Sequence, residues 1–170
     1  MISPRATTRW GFAKLEALLD RIFPPAWNPI YQLGGLGFLY YWVVVVSGIY
    51  LYILFDTGTT EAYDSIQYLT VEQWYLGGVM RSLHRYGSDG MVLMMVLHTV
   101  REWSLGRFNG PRWFTWFTGT PIAWFVIISG ISGYWLVWDE MAQYVAIRTS
   151  EWLDWLGIFG ESIARNFLSP

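Results

Sequence analysis

Three stretches of the chain stay apolar long enough to form membrane-crossing helices. The first runs from about Tyr31 to Phe55 with no charge inside it. The second runs roughly from Gly77 to Trp103, and the third roughly from Trp113 to Trp138, again uncharged. Each, as a helix, matches a hydrocarbon core of about 30 Å. Trp74, Tyr75, Trp113, Trp116, Tyr134 and Trp138 sit at their ends, where aromatic rings favour the membrane–water interface. Before the first stretch, WGFAKLEALLDRIF has a helical amphipathic pattern that stops at Pro24-Pro25. It predicts a surface helix over about 8–23. After the third stretch, the tail 139–170 alternates apolar and charged residues, which predicts short surface helices and no fourth crossing. The pattern therefore predicts one all-α membrane domain over 1–170, with three spans.

Composition agrees with this pattern. The chain is 54% hydrophobic and only 14% charged, well below the charge content of a soluble domain. It has no cysteine, which excludes disulfides, covalent c-type haem and a thiolate-held iron–sulfur cluster on these residues. The N-terminal segment lacks the apolar core of a secretory signal. The distribution of charge says more than the net value of −2. Arg5, Arg9, Lys14 and Arg21 precede the first span, and Arg101, Arg107 and Arg112 follow the second. The intervening DTGTTEAYDSIQYLTVEQW carries four acids and no base. The excess of bases predicts an N-terminus on the cytoplasmic, negative side and a tail 139–170 on the positive side. Nothing in the pattern calls for nucleic acid.

The second span reads RSLHRYGSDGMVLMMVLHTVR and holds the only two histidines, His84 and His98. Fourteen helical residues rise about 21 Å and fall about 40° short of four turns. The two rings therefore share one helix face, one near each side of the bilayer. A lone histidine here could simply bond between helices. Two in register point to function, because imidazole inside a membrane is costly and ligates metals. Arg85 and Asp89, one turn apart between them, read as an ion pair or, in a transport protein, a proton path. MVLMM at 91–95 reads as packed or lipid-facing side chains rather than as ligands.

Glycines repeat the same interval on the other two spans: Gly34 and Gly48, then Gly119 and Gly133. Glycine serves ordinary close helix packing, or lets a bulky flat group approach the backbone. The shared interval on three spans favours two such groups stacked across the membrane, and haem fits. Arg81 and Arg101 flank the histidines on their outer sides. They would either snorkel to the interface or pair with haem propionates.

These residues resemble the N-terminal part of cytochrome b, and the short cytochrome b of the bf complexes in particular. PPAWNPIYQLGG, RSLHRYGSDGMVLMMVLHTVR and SGYWLVWDE carry the likeness. It implies that the three spans are helices A to C of a four-helix di-haem bundle. His84 would hold the positive-side haem and His98 the negative-side haem. Gly34, Gly48, Gly119 and Gly133 would pack the haems, and Arg81 and Arg101 would pair with their propionates. Three departures stand out. Gln32 replaces the cysteine that holds an extra covalent haem in bf-type proteins. Leu136-Val137-Trp138-Asp139 replaces the family's LPWD. The chain stops at Pro170, before a fourth helix with two more histidines, which suggests a cytochrome b split between genes.

The resemblance implies a subunit of a quinol oxidoreductase complex, respiratory or photosynthetic, that is not catalytic alone. Two b-type haems would share their axial ligands with a partner helix and carry electrons between quinone sites. The implied partners are the subunit with the fourth helix, a Rieske iron–sulfur protein and cytochrome c-type subunits, in a dimeric assembly. The implied location is an energy-transducing membrane, the bacterial inner membrane or a thylakoid. The resemblance places Tyr134, Asp139 and Glu140 near a quinol site, although interface anchoring explains them more simply. Two other readings stay open: a haem-bearing anchor of another quinone-linked enzyme, and a haem-free structural or transport subunit.

Overall fold

A computed structural model describes residues 3–157, and all regular structure within them is helical. Helix α1 spans Pro4–Leu19. It begins earlier than the pattern predicts, because Ser3 caps it through the Ala6 N–H at 3.3 Å and Pro4 preorganises the first turn. It ends before Pro24, where Asp20 N–H donates back to Glu16 O at 2.8 Å. A 3-10 turn, Pro25–Trp27, follows.

Asn28 locks this turn and is 0% exposed. Its Nδ2 donates to Glu16 O at 3.2 Å and to Asp20 Oδ1 at 2.8 Å, while its Oδ1 accepts the Ile30 N–H at 3.0 Å. The Tyr31 hydroxyl donates to Asp20 Oδ2 at 3.0 Å. That bond raises the phenol's pKa above its ordinary value.

Three long helices follow: α2 (Leu33–Leu54), α4 (Val79–Ser104) and α5 (Trp113–Trp135). They fall within three residues of the predicted windows. Among the described residues, two segments are long and apolar enough to cross a membrane, Leu33–Leu54 and Gly110–Trp135. The pattern predicts three. α4 is unbroken and long, but Arg81, Arg85, Asp89, Arg101 and Glu102 dilute its apolar character.

Helix α2 buries only Leu33 and Ser47, and α5 buries nothing. Phe38, Leu39, Trp42, Ile49, Phe117, Phe125 and Ile128 all face outward. Such faces suit lipid or partner helices rather than water. α5 also carries Pro121 in its interior. Thr118 and Thr120 donate to Phe114 O and Trp116 O one turn back, at 3.0 and 2.9 Å.

The chain forms two compact units. In the first, Met1–Ile49 with Met80–Ile127, α2 and α4 run antiparallel at close range. A β-carbon on Gly37 would lie 3.8 Å from Met94 Cβ, one on Gly87 3.1 Å from Val43 Cγ1, and one on Gly90 2.7 Å from Tyr40 Cε1. Each advance along α2 meets a retreat along α4, and small residues keep the backbones close. Gly106, two residues past the end of α4, has a φ of +74° that suits the turn after a helix C-terminus.

The second unit is Tyr50–Val79 with Ile128–Pro170. Where a plain loop is expected, it holds a short α3 (Ala62–Gln67) and two π-helical turns, Tyr68–Glu72 and Trp74–Gly78. Leu69 is fully buried, and a β-carbon on Gly77 would come within 2.5 Å of Leu69 O. Of the tail, α6 (Glu140–Trp155) is one helix rather than several short ones. Residues 158–170, the remainder of the predicted tail, lie outside the described residues. α6 buries a stripe of small residues, Ala142, Ala146 and Ser150. Trp138, with φ of +55°, makes the sharp turn ahead of it.

Candidate functional site

His84 and His98 both lie on α4 and face α2. Their partners there are the two glycines of matching interval. A β-carbon on Gly48 would lie 2.9 Å from His84 Cε1 and 3.3 Å from its Nδ1. One on Gly34 would lie 3.3 Å from His98 Cε1. The two readings of these glycines therefore merge: they are close-packing positions, and what they admit is an imidazole ring. Gly119 and Gly133 differ, since a β-carbon on either would meet nothing within 4 Å.

The two rings have different surroundings. His84 is half-buried. Its Nδ1 lies 3.1 Å from Val44 O and 3.2 Å from Ser47 Oγ. A carbonyl can only accept, so Nδ1 carries the proton. The Ser47 hydroxyl donates to Val43 O at 2.6 Å, which leaves its oxygen free to accept from Nδ1 as well. With the proton on Nδ1, the Nε2 of His84 keeps its lone pair, the form that binds metal. The His98 ring is exposed and makes no hydrogen bond among the described residues.

The two arginines also differ. Arg81 is half-buried. Arg101 is 9% exposed and already held by carboxylates of this chain. Its Nε and Nη2 each lie 2.8 Å from Glu16 Oε1 on α1, and its Nη1 lies 3.3 Å from Glu102 Oε1. Its guanidinium also stands over the Tyr31 ring, 5.5 Å from the centroid. Glu102 further binds Arg107 at 2.9 Å and reaches Arg112 at 3.7 Å. The expected pairing of Arg101 with a propionate thus competes with Glu16.

Other expectations resolve more simply. Arg85 and Asp89 are both exposed and form no ion pair with each other. The helical spacing permits the bridge, but the two side chains do not make it in this structure. The Met94 side chain lies against Gly37, a packing role. Asp139 caps α6, its Oδ1 accepting the Ala142 N–H at 2.7 Å, while Glu140 sits in that helix's first turn and Tyr134 is exposed. Gln32 Nε2 donates to Ala26 O at 3.4 Å. No cluster of three or more His, Cys, Asp or Glu forms among the described residues.

Sequence reasoning passed over Ser47, Glu16 and Asn28. Ser47 had a signal: a lone hydroxyl in the run VVVVSG, beside the marked glycine Gly48. Glu16 and Asn28 had none, because their partners are distant in the chain or are backbone atoms.

The family model described as Cytochrome b/b6/petB matches residues 18–169. The chain is 34% identical to a cytochrome b6 of Stigeoclonium helveticum, across 88% of this chain and 71% of that one. It is 32% identical to a cytochrome b6 of Acaryochloris marina over the same shares. A cytochrome b6 of Prochlorothrix hollandica is 36% identical across 77% of this chain and 60% of its own length. The match covers α2, α4 and the packed Gly–His pairs between them, and on this ground the chain belongs to the cytochrome b/b6 family.

Proposed function

We propose that the chain is the haem-bearing electron-transfer subunit of a membrane quinol oxidoreductase complex, and that His84 and His98 are axial ligands of two b-type haems. Family membership supports the electron-transport role within such a complex. The observation that carries the ligand assignment is the matched register of Gly48 with His84 and Gly34 with His98. It holds two imidazoles on one helix face, separated by a rise of about 21 Å.

The residues fit haem. Val44 O and Ser47 fix the His84 tautomer that leaves Nε2 as the ligand. Gly119 and Gly133 leave their stretches of α5 open to a flat group. Haem iron, when bound, supplies reversible one-electron chemistry. The protein's part is to ligate, to keep water away and to place charge. Arg81 is the propionate partner near His84. Arg101 serves a propionate near His98 only by sharing or exchanging Glu16.

In this reading α2, α4 and α5 each cross the membrane, with the N-terminus on the negative side. His84 then lies toward the positive side and His98 toward the negative side. Arg81, Arg101 and Glu102 sit near the ends of α4 and Arg85 stands beside His84, while Asp89 lies in the interior of the helix. The sequence has two histidines, whereas two bis-imidazole haems need four. The other two come from polypeptide outside these residues. A Rieske protein and a cytochrome c-type subunit complete the route for electrons leaving quinol. Tyr134, Asp139 and Glu140 anchor the interface.

The test is purification of the complex, identification of its subunits, and spectroscopy. The expected result is a b-type reduced-minus-oxidised band with low-spin, six-coordinate iron by electron paramagnetic resonance. Absence of any b-type band overturns the reading. High-spin iron alone overturns the shared-ligand assignment.

A further inference from the structure

The two imidazoles of α4 are alike in register and unlike in hydrogen bonding. His84 Nδ1 has two acceptors, Val44 O at 3.1 Å and Ser47 Oγ at 3.2 Å. His98 has none among the described residues. Ser47 is 2% exposed, one of two buried residues on α2, and sits one position before the glycine that receives the ring. Its hydroxyl hydrogen is committed to Val43 O at 2.6 Å. Its oxygen therefore faces Nδ1 as an acceptor.

We infer that Ser47 is a positioning residue for His84, and that its hydroxyl lowers the reduction potential of the iron ligated by His84 relative to the iron ligated by His98. The inference rests on the ligand assignment proposed above. Its physical basis is the second shell. An acceptor on Nδ1–H draws that proton away, makes Nε2 a stronger electron donor and so favours the ferric state. The same bond fixes the ring plane, since Nδ1 is held between two atoms of one α2 turn. His98 lacks this polarisation, and its ring lies close to Gly34.

The test uses the intact complex in its membrane, with potentiometric titration of each haem. Ser47→Ala should raise the potential of the haem that His84→Ala removes, and leave the other unchanged. Ser47→Thr, which restores a hydroxyl, should return the wild-type value. An unchanged potential in Ser47→Ala with full haem content overturns the role of Ser47 while leaving the ligand assignment intact. Should Ser47→Ala lose the haem, Ser47→Thr decides: a haem at the wild-type potential supports the hydroxyl's role, and loss there too overturns it. Retention of both haems in His84→Ala overturns the ligand assignment itself.

Discussion

Gly48 has no room for a side chain. A β-carbon there would come 2.9 Å from His84 Cε1, so the imidazole must move or the helices must part. Overpacking of this kind costs about 1–3 kcal/mol. Gly48→Leu should therefore lower haem content by displacing the ligand ring, measured as haem per protein by pyridine haemochrome assay. Gly133→Leu should lower it too, but by a different route. A β-carbon there meets nothing within 4 Å among the described residues, so the expected loss comes from displacing a bound group rather than a ligand ring. Full haem content in Gly133→Leu would remove α5 from the site. The shared face of His84 and His98 and the matching glycine interval on α2 were legible in the sequence because spacing along a helix fixes facing. Ser47 and Glu16 were not, since a single hydroxyl or carboxylate has no period and its partner is set by tertiary contact. The Arg85–Asp89 pair shows the reverse error: spacing allowed a bond that exposed side chains do not make.

At the scale of elements, α1 is tied down at two points. Glu16 meets Arg101 at 2.8 Å, and Asn28 closes the turn after the helix with three hydrogen bonds. Asn28→Ala strips partners from buried backbone, at about 1–3 kcal/mol for a group left unsatisfied. We expect faster proteolysis near residues 20–30 in membrane vesicles, with the haem spectrum unchanged. Unaltered cleavage would mean that Asn28 does not hold α1. Glu16→Ala leaves Arg101 buried with Glu102 as its remaining partner. Breaking a fully buried pair costs about 3–5 kcal/mol, and the surviving partner should make this loss smaller. A fall in the melting temperature of the detergent-solubilised complex is the readout. The long helices were legible from uninterrupted apolar runs and their aromatic ends. α3 and the π-helical turns were not, because the acidic loop has polar spacing and its order rests on a few buried contacts such as Leu69 with Gly77. The early start of α1 follows from Ser3 and Pro4, a capping signal that the amphipathic pattern alone passes over.

For the whole molecule, helix α4 carries both the charge that weakens its membrane signature and the two histidines proposed as ligands. The proposed crossing of α2, which carries the glycines facing α4, can be tested by topology. The chain has no cysteine, so single substitutions report cleanly. Arg9→Cys should react with an impermeant thiol reagent from the negative side only, and Thr59→Cys from the positive side only. Labelling of both from one side would contradict the proposed crossing of α2. The account as a whole rests on His84 and His98 each serving a separate haem. The most direct measurement is redox titration of the b-type absorbance in membranes from the wild type, His84→Ala and His98→Ala. The account predicts two components in the wild type, with one lost in each variant: the positive-side haem without His84 and the negative-side haem without His98. Two components surviving in either variant would contradict it.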